Sequence, residues 1–235
     1  SPAGDLLVTS AAYDDPREGA QVLHFPVPLT AEGVSLLDDW QTFAMRGTGS
    51  QSVKLDGVFV PEAAVVLRRP RGAFHPAFAV IVTVAMPIIT SVYLGVAEAA
   101  AAIARERARG RTGDPVMPFL VGEMENLLTT AELGVADMVR LANGFDFAPS
   151  VELASQVLAR KTIAAKAVIA TAEKALEVTG GAGLFRKLGL ERLLRDAHGA
   201  QFHPLPEKRQ LLFTGRVALG LDPVGDVAEA ARRAA

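Results

Sequence analysis

Cysteine is absent from the 235 residues. Its absence removes disulfide scaffolds, thiolate metal sites, iron–sulfur clusters and thiol nucleophiles together, and suits a reducing compartment. Charge of one sign is lacking too: 24 Lys+Arg face 26 Asp+Glu, a formal net of −2. No basic field is available for a phosphate backbone, so nucleic acid is not an expected partner. The opening Ser1-Pro2-Ala3-Gly4-Asp5 has no basic n-region followed by an apolar h-region, and a cytoplasmic setting is expected. Internal repeats and low-complexity linkers are missing as well. What is there is a chain 50% apolar with mean hydropathy +0.26, too apolar for disorder and long enough for one large core or two modest ones.

From Gly72 to Ala97 there is no Asp, Glu, Lys or Arg, and His75 is the one histidine. That length would span a bilayer. Pro87 in its middle, flanks without an aromatic belt, and a continuation through Glu98 to Arg105, Glu106 and Arg107 at helical spacing favour a helix buried in the centre of a bundle, with no membrane partner.

The first seventy residues and the rest follow different periods. Leu6 to Tyr13, Gln21 to Val27 and Val53 to Val60 are short runs rich in Val, Leu, Phe and Thr, separated by turn clusters such as Asp14-Asp15-Pro16. They are expected to be strands, the last of them antiparallel with one wet face and ended by Pro61. A hinge is expected in Arg68-Arg69-Pro70-Arg71-Gly72. After Pro76 the spacing becomes helical. Met117, Val121, Met124, Leu128, Ala131, Val135, Met138 and Ala142 form a seam about 26 residues, or roughly 39 Å, long. Asn143-Gly144 closes that helix, and Ser150 caps the next, which runs to Val178 and ends at Thr179-Gly180-Gly181. Shorter helices are expected at Leu190–His198 and Arg209–Leu219. The class is α+β: part of an antiparallel β-domain over 1–70, an antiparallel four-helix-type bundle over 73–221 and a tail over 222–235.

Candidate sites are few. Gly180-Gly181-Ala182-Gly183 reads either as a helix C-cap and turn or as a place where backbone amides approach a phosphate; the first is simpler, since no strand precedes it and the Lys and Ser/Thr of a P-loop are missing. Glu191, Arg192, Arg195 and Asp196 read as structural ion pairs. Arg111 follows a helix, where cations are ordinary. His24, His75, His198 and His203 are too scattered for a metal. His203, between a helix and Pro204 and Pro206, is either a solvent-facing loop residue or a proton-transfer group.

Trp40-Gln41-Thr42-Phe43-Ala44-Met45-Arg46-Gly47-Thr48-Gly49-Ser50, followed by Val53-Lys54-Leu55-Asp56-Gly57-Val58-Phe59-Val60-Pro61, resembles the central β-domain of the acyl-CoA dehydrogenase superfamily. Tyr93-Leu94-Gly95-Val96-Ala97-Glu98 is similar to its first bundle helix, and Gly180-Gly181-Ala182-Gly183-Leu184 with Leu190-Glu191-Arg192-Leu193-Leu194-Arg195-Asp196-Ala197 to its glycine turn and Arg-Asp helix. The four blocks keep their order across nearly the whole chain.

The resemblance implies an FAD-dependent oxidoreductase whose bundle forms a homotetramer and binds FAD with a neighbouring subunit, acting on a small molecule such as an acyl-CoA. It also implies that the chain begins inside the β-domain, with further flavin-ring contacts supplied from an upstream segment or another polypeptide. Carried over residue by residue, the cofactor contacts fall on Arg111, Gly180, Gly181 and Glu177, the last replacing a glutamine. The catalytic glutamate has no counterpart: one family position falls at Pro204-Leu205-Pro206 and the alternative near Ala85, and neither can take an α-proton. Related flavin-dependent monooxygenases, which use reduced flavin and oxygen, carry a histidine after the Arg-Asp helix, and His203 matches it. Three readings follow: an acyl-CoA dehydrogenase-like enzyme with a base shifted to Glu207, a monooxygenase with His203 as acid or base, or a non-catalytic assembly piece. No metal is expected.

Overall fold

Strand β1, Leu6–Asp15, pairs antiparallel with β2, Gly19–Pro28, in a register from Leu6 opposite Pro28 to Asp15 opposite Gly19. Asp15 Oδ1 accepts from the amides of Arg17 and Glu18 at 2.8 and 3.0 Å, which closes the hairpin and holds its carboxyl below the usual carboxylate range. Alternate residues of β2, namely Gln21, Phe25 and Val27, are buried, as a strand with one covered face requires. The computed structural model describes residues 3–225, so the part of the expected tail over 226–235 lies outside the described residues. The chain divides at His75 and Pro76 into two compact units.

In the first unit two sequence expectations are corrected. The strand expected over Val53 to Val60 is only β4, Val53–Leu55, paired with β3, Val34–Leu36. The Asp56 amide still donates to the Gly33 carbonyl at 2.9 Å, and then Gly57 takes a left-handed φ of 67° and turns the chain away. Gly33 is obligatory at that approach: a Cβ there would sit 2.2 Å from the Asp56 carbonyl oxygen, at a φ of +83°. The hinge expected at Arg68 to Gly72 is instead largely strand β5, Leu67–Pro70, on the far edge of β2. Its arginines are engaged within the unit: Arg68 pairs with Glu62, Arg69 Nε donates to His24 Nε2 at 3.0 Å, and the next residue, Arg71, pairs with Asp14 at 2.8 Å. The charges expected in a hinge are instead engaged in pairs within the unit.

The second unit is helical: α1 (Pro76–Arg109), α2 (Met117–Ala142), α3 (Val151–Thr179), α4 (Leu190–Ala197) and α5 (Glu207–Ala218). The α2 seam is buried as its spacing requires, except that Val121 is only half-buried, and Asn143 ends the helix in the left-handed region at φ 44°. α3 is the central element, packing against each of the other four helices. Small residues set these approaches: α1 buries Ala97, Ala100, Ala101, Ala104 and Ala108, and a Cβ on Gly134 of α2 would stand 3.0 Å from that of Ala164 on α3. Burial of α1 all round is not observed. Although it is long and apolar enough to cross a membrane, only 39% of its most apolar window is buried, and Ile81, Ile88 and Val92 lie exposed along one stripe.

Ser150 Oγ accepts from the Leu153 amide at 3.1 Å, so α3 starts with one of its orphan donors satisfied. Ser150→Ala should cost about 1 kcal/mol of stability. Urea unfolding would show it as a lower midpoint at unchanged slope, and a midpoint equal to that of the parent would show the cap to be idle.

Candidate active site

After α4, a 3-10 turn over His198–Phe202 delivers His203 in extended conformation just before Pro204, and α5 begins at Glu207. The His203 ring turns inward. Its Nε2 lies 2.7 Å from the phenol oxygen of Tyr93 on α1, with the two rings edge to face at a centroid distance of 5.3 Å. Tyr93 is buried and His203 half-buried. Burial, followed by the Asp196 carboxylate, pushes the phenol above its ordinary value; burial, followed by the Lys161 ammonium, holds His203 below the usual histidine value. At neutral pH a neutral imidazole therefore shares one hydrogen bond with an un-ionised phenol. Either the phenol donates to a bare Nε2 or Nε2–H donates to the phenol oxygen, and both allow a proton to pass between them.

From the α3 side, Lys161 reaches the same loop. Its Nζ donates to the carbonyls of His203 and Leu205 at 2.7 and 3.0 Å, and burial pushes its pKa down to about 8. A cleft of about 360 Å³ opens beside it, lined among others by Lys166, Glu173, Gln201 and Glu207. Glu207 makes a 2.8 Å ion pair with Lys166, whose hydrogen bond holds the carboxyl below the usual carboxylate range. An ionised carboxylate already bound to an ammonium is a poor general base.

The remaining sequence candidates gather elsewhere. Arg111, just beyond the end of α1, donates from Nη1 to the Val178 carbonyl at 3.2 Å and from Nη2 to Asp114 at 3.2 Å. Gly180, at φ 68° and ψ −158°, occupies a region that only glycine uses readily, and a Cβ there would sit 3.9 Å from Arg111 Nη1. Nothing lies within 4 Å of a Cβ on Gly181. A half-exposed guanidinium beside an open glycine turn is a fitting seat for an anion. Glu177, the awkward carboxylate of that group, is paired to Lys174 at 2.6 Å, and Lys174 also holds Glu123 at 2.8 Å. Arg111, Gly180 and Gly181 thus stand together. His203 does not join them within this chain: along α3, Lys161 and Thr179 are about 27 Å apart.

Residues 88–207 match the family described as Acyl-CoA dehydrogenase, C-terminal domain. The chain belongs to the acyl-CoA dehydrogenase family. Among its relatives, the amino sugar nitrososynthase DnmZ of Streptomyces peucetius is 29% identical over 203 residues, which cover 83% of this chain and 50% of that protein. A dibenzothiophene monooxygenase of Mycolicibacterium goodii is 27% identical over 226 residues, covering 85% of this chain and 54% of that one. The chain spans about half the length of these curated relatives. In fold it is similar to KijD3, solved in complex with FMN and dTDP-3-amino-2,3,6-trideoxy-4-keto-3-methyl-D-glucose, with a TM-score of 0.84 and 23% identity over 96% of this chain and 58% of that one.

Within this acyl-CoA dehydrogenase-family bundle, two polar residues of the His203 cluster were not legible as site residues in the sequence. Tyr93 stood inside a motif but carried no role there, because nothing local indicates that α1 passes residue 203. Lys161 had a signal: it occupies the stripe of Ala154, Leu158, Ala165, Val168 and Ala172, where a charge on the buried face of a helix is anomalous. Among the described residues no cluster of three His, Asp or Glu could hold a metal. His24 serves Arg69 in the first unit, and Arg195 forms a 2.8 Å pair with Glu191.

Proposed function

We propose that this chain, a β unit followed by a helical bundle, belongs to a flavin-dependent monooxygenase that oxygenates a nitrogen or sulfur atom of a small molecule. The observation that carries the reading is the 2.7 Å contact between His203 Nε2 and the buried Tyr93 phenol, in a cluster where the Glu207 carboxylate is bound to Lys166. The DnmZ and dibenzothiophene monooxygenase likenesses support the same chemistry. The Arg111–Gly180–Gly181 group fits the phosphate of a flavin nucleotide, offering a guanidinium that it shares with Asp114, backbone without side chains and open space, with Glu177 held by Lys174. Reduced flavin, when bound, supplies the electrons that activate oxygen. The chain's part is proton handling: His203 exchanges a proton with the substrate side through Nδ1 while Tyr93 receives or returns one at Nε2. Acyl-CoA dehydrogenation is disfavoured because it needs a free base at the α-carbon.

Because the anion seat and His203 stand about 27 Å apart along α3, one complete site is proposed to combine His203 of one copy with the glycine turn of another. The exposed stripe of Ile81, Ile88 and Val92 supplies apolar surface for that assembly. Sedimentation at micromolar concentration should give a dimer or tetramer, and a stable monomer would remove this part of the proposal. The activity is tested by supplying enzymatically reduced FMN or FAD, isotopically heavy oxygen and panels of primary amines and thioethers. Incorporation of one heavy oxygen atom is expected. Anaerobic bleaching of bound flavin by acyl-CoA, with no oxygen incorporation, would overturn the reading.

A further inference from the structure

An ammonium inside a helical bundle is costly unless its hydrogen bonds are worth the loss of water. Lys161 is 2% exposed and sits midway along α3 on a face otherwise made of Ala, Val and Leu. Both of its bonds go to one loop, to the carbonyls on either side of Pro204. That loop has two prolines, Pro204 and Pro206, and so lacks two amides with which it could order itself. Lys161 supplies the missing donors from outside. On the opposite side the His203 ring meets Tyr93.

We propose that Lys161 is a positioning residue for the His203–Tyr93 pair, its ammonium clamping the carbonyls of His203 and Leu205 so that the imidazole is held against the phenol. The inference rests on the reading of His203 as the proton-transfer group. The charge of the clamp has a second effect, because a cation beside His203 disfavours protonation of the ring and keeps it ready to accept a proton.

The chain has four histidines, so histidine-labelled protein gives a tractable set of ring signals by NMR, with His203 assigned from its loss in His203→Gln. In Lys161→Met the His203 titration should move up toward the ordinary histidine value, and the acid limb of the turnover profile should move with it. A purely structural lysine would lower turnover without that coordinated shift. An unchanged His203 titration in Lys161→Met overturns the proposal. If Lys161→Met does not fold, the wild-type protein still decides: the ring signals of His203 should show a second inflection near pH 8, where Lys161 loses its proton, and a flat response there overturns the clamp. Should His203→Gln leave turnover intact, the role given to His203 falls, while the titrations still report whether Lys161 positions it.

Discussion

His203→Gln should lower oxygenation turnover by a factor of about 10² to 10⁴, the usual worth of a positioned proton-transfer group, with little change in the Michaelis constant. Glutamine keeps a hydrogen-bonding tip near Tyr93 but cannot take up and release a proton. Tyr93→Phe should produce a smaller loss, since it removes the relay partner and leaves the imidazole in place. In the parent protein the acid limb of the profile should lie below that of an ordinary histidine. The sign follows from burial and the Lys161 ammonium, which both disfavour the imidazolium, so the neutral form survives to lower pH than in a free histidine. Glu207→Gln is the control. With its carboxylate already bound to Lys166, turnover should stay within about twofold, as for other surface ion pairs. If Glu207→Gln abolishes activity and His203→Gln does not, proton transfer has been assigned to the wrong residue.

Arg111→Ala should weaken binding of FMN or FAD about tenfold. A charge-assisted hydrogen bond to phosphate is worth about 1.5–3 kcal/mol in a protected site. The Arg111 side chain is 47% exposed, so water and salt reduce that figure to its lower end. The informative comparison is riboflavin, which has no phosphate. Calorimetry should show a loss for the two nucleotides and none for riboflavin. An equal loss for all three would mean that Arg111 acts only through the Val178 carbonyl, as a brace for the end of α3. Glu177→Gln should matter less, since that carboxylate is exposed and already paired with Lys174.

The sequence made local features legible and left tertiary encounters hidden. The α2 boundaries, the Ser150 cap and the Asn143 stop were readable because each depends on residues within one turn of the feature it governs. The β5 edge was not readable, because Arg69 finds its partner His24, 45 residues back, only once β5 lies beside β2. His203 was found through its place in a motif. Its environment was not: an inward ring, a phenol from 110 residues away and an ammonium from 42 residues away are products of helix packing. Arg111 and Gly180 were each named separately, and their meeting is likewise set by where α1 and α3 end.

The alanine surfaces between α1 and α3 bear on how this scaffold can diversify. Where two helices approach through Cβ atoms, each added methyl group must push the backbone, so the bundle resists gradual change from within. The segment from His198 to Pro206 is tied to the bundle by a few discrete polar contacts, and its outward side chains, including Phe202 at 68% exposure, are free to vary. New substrate preferences would therefore arise by rewriting this short crossing between α4 and α5, while the alanine seam keeps the anion seat and the tyrosine in register.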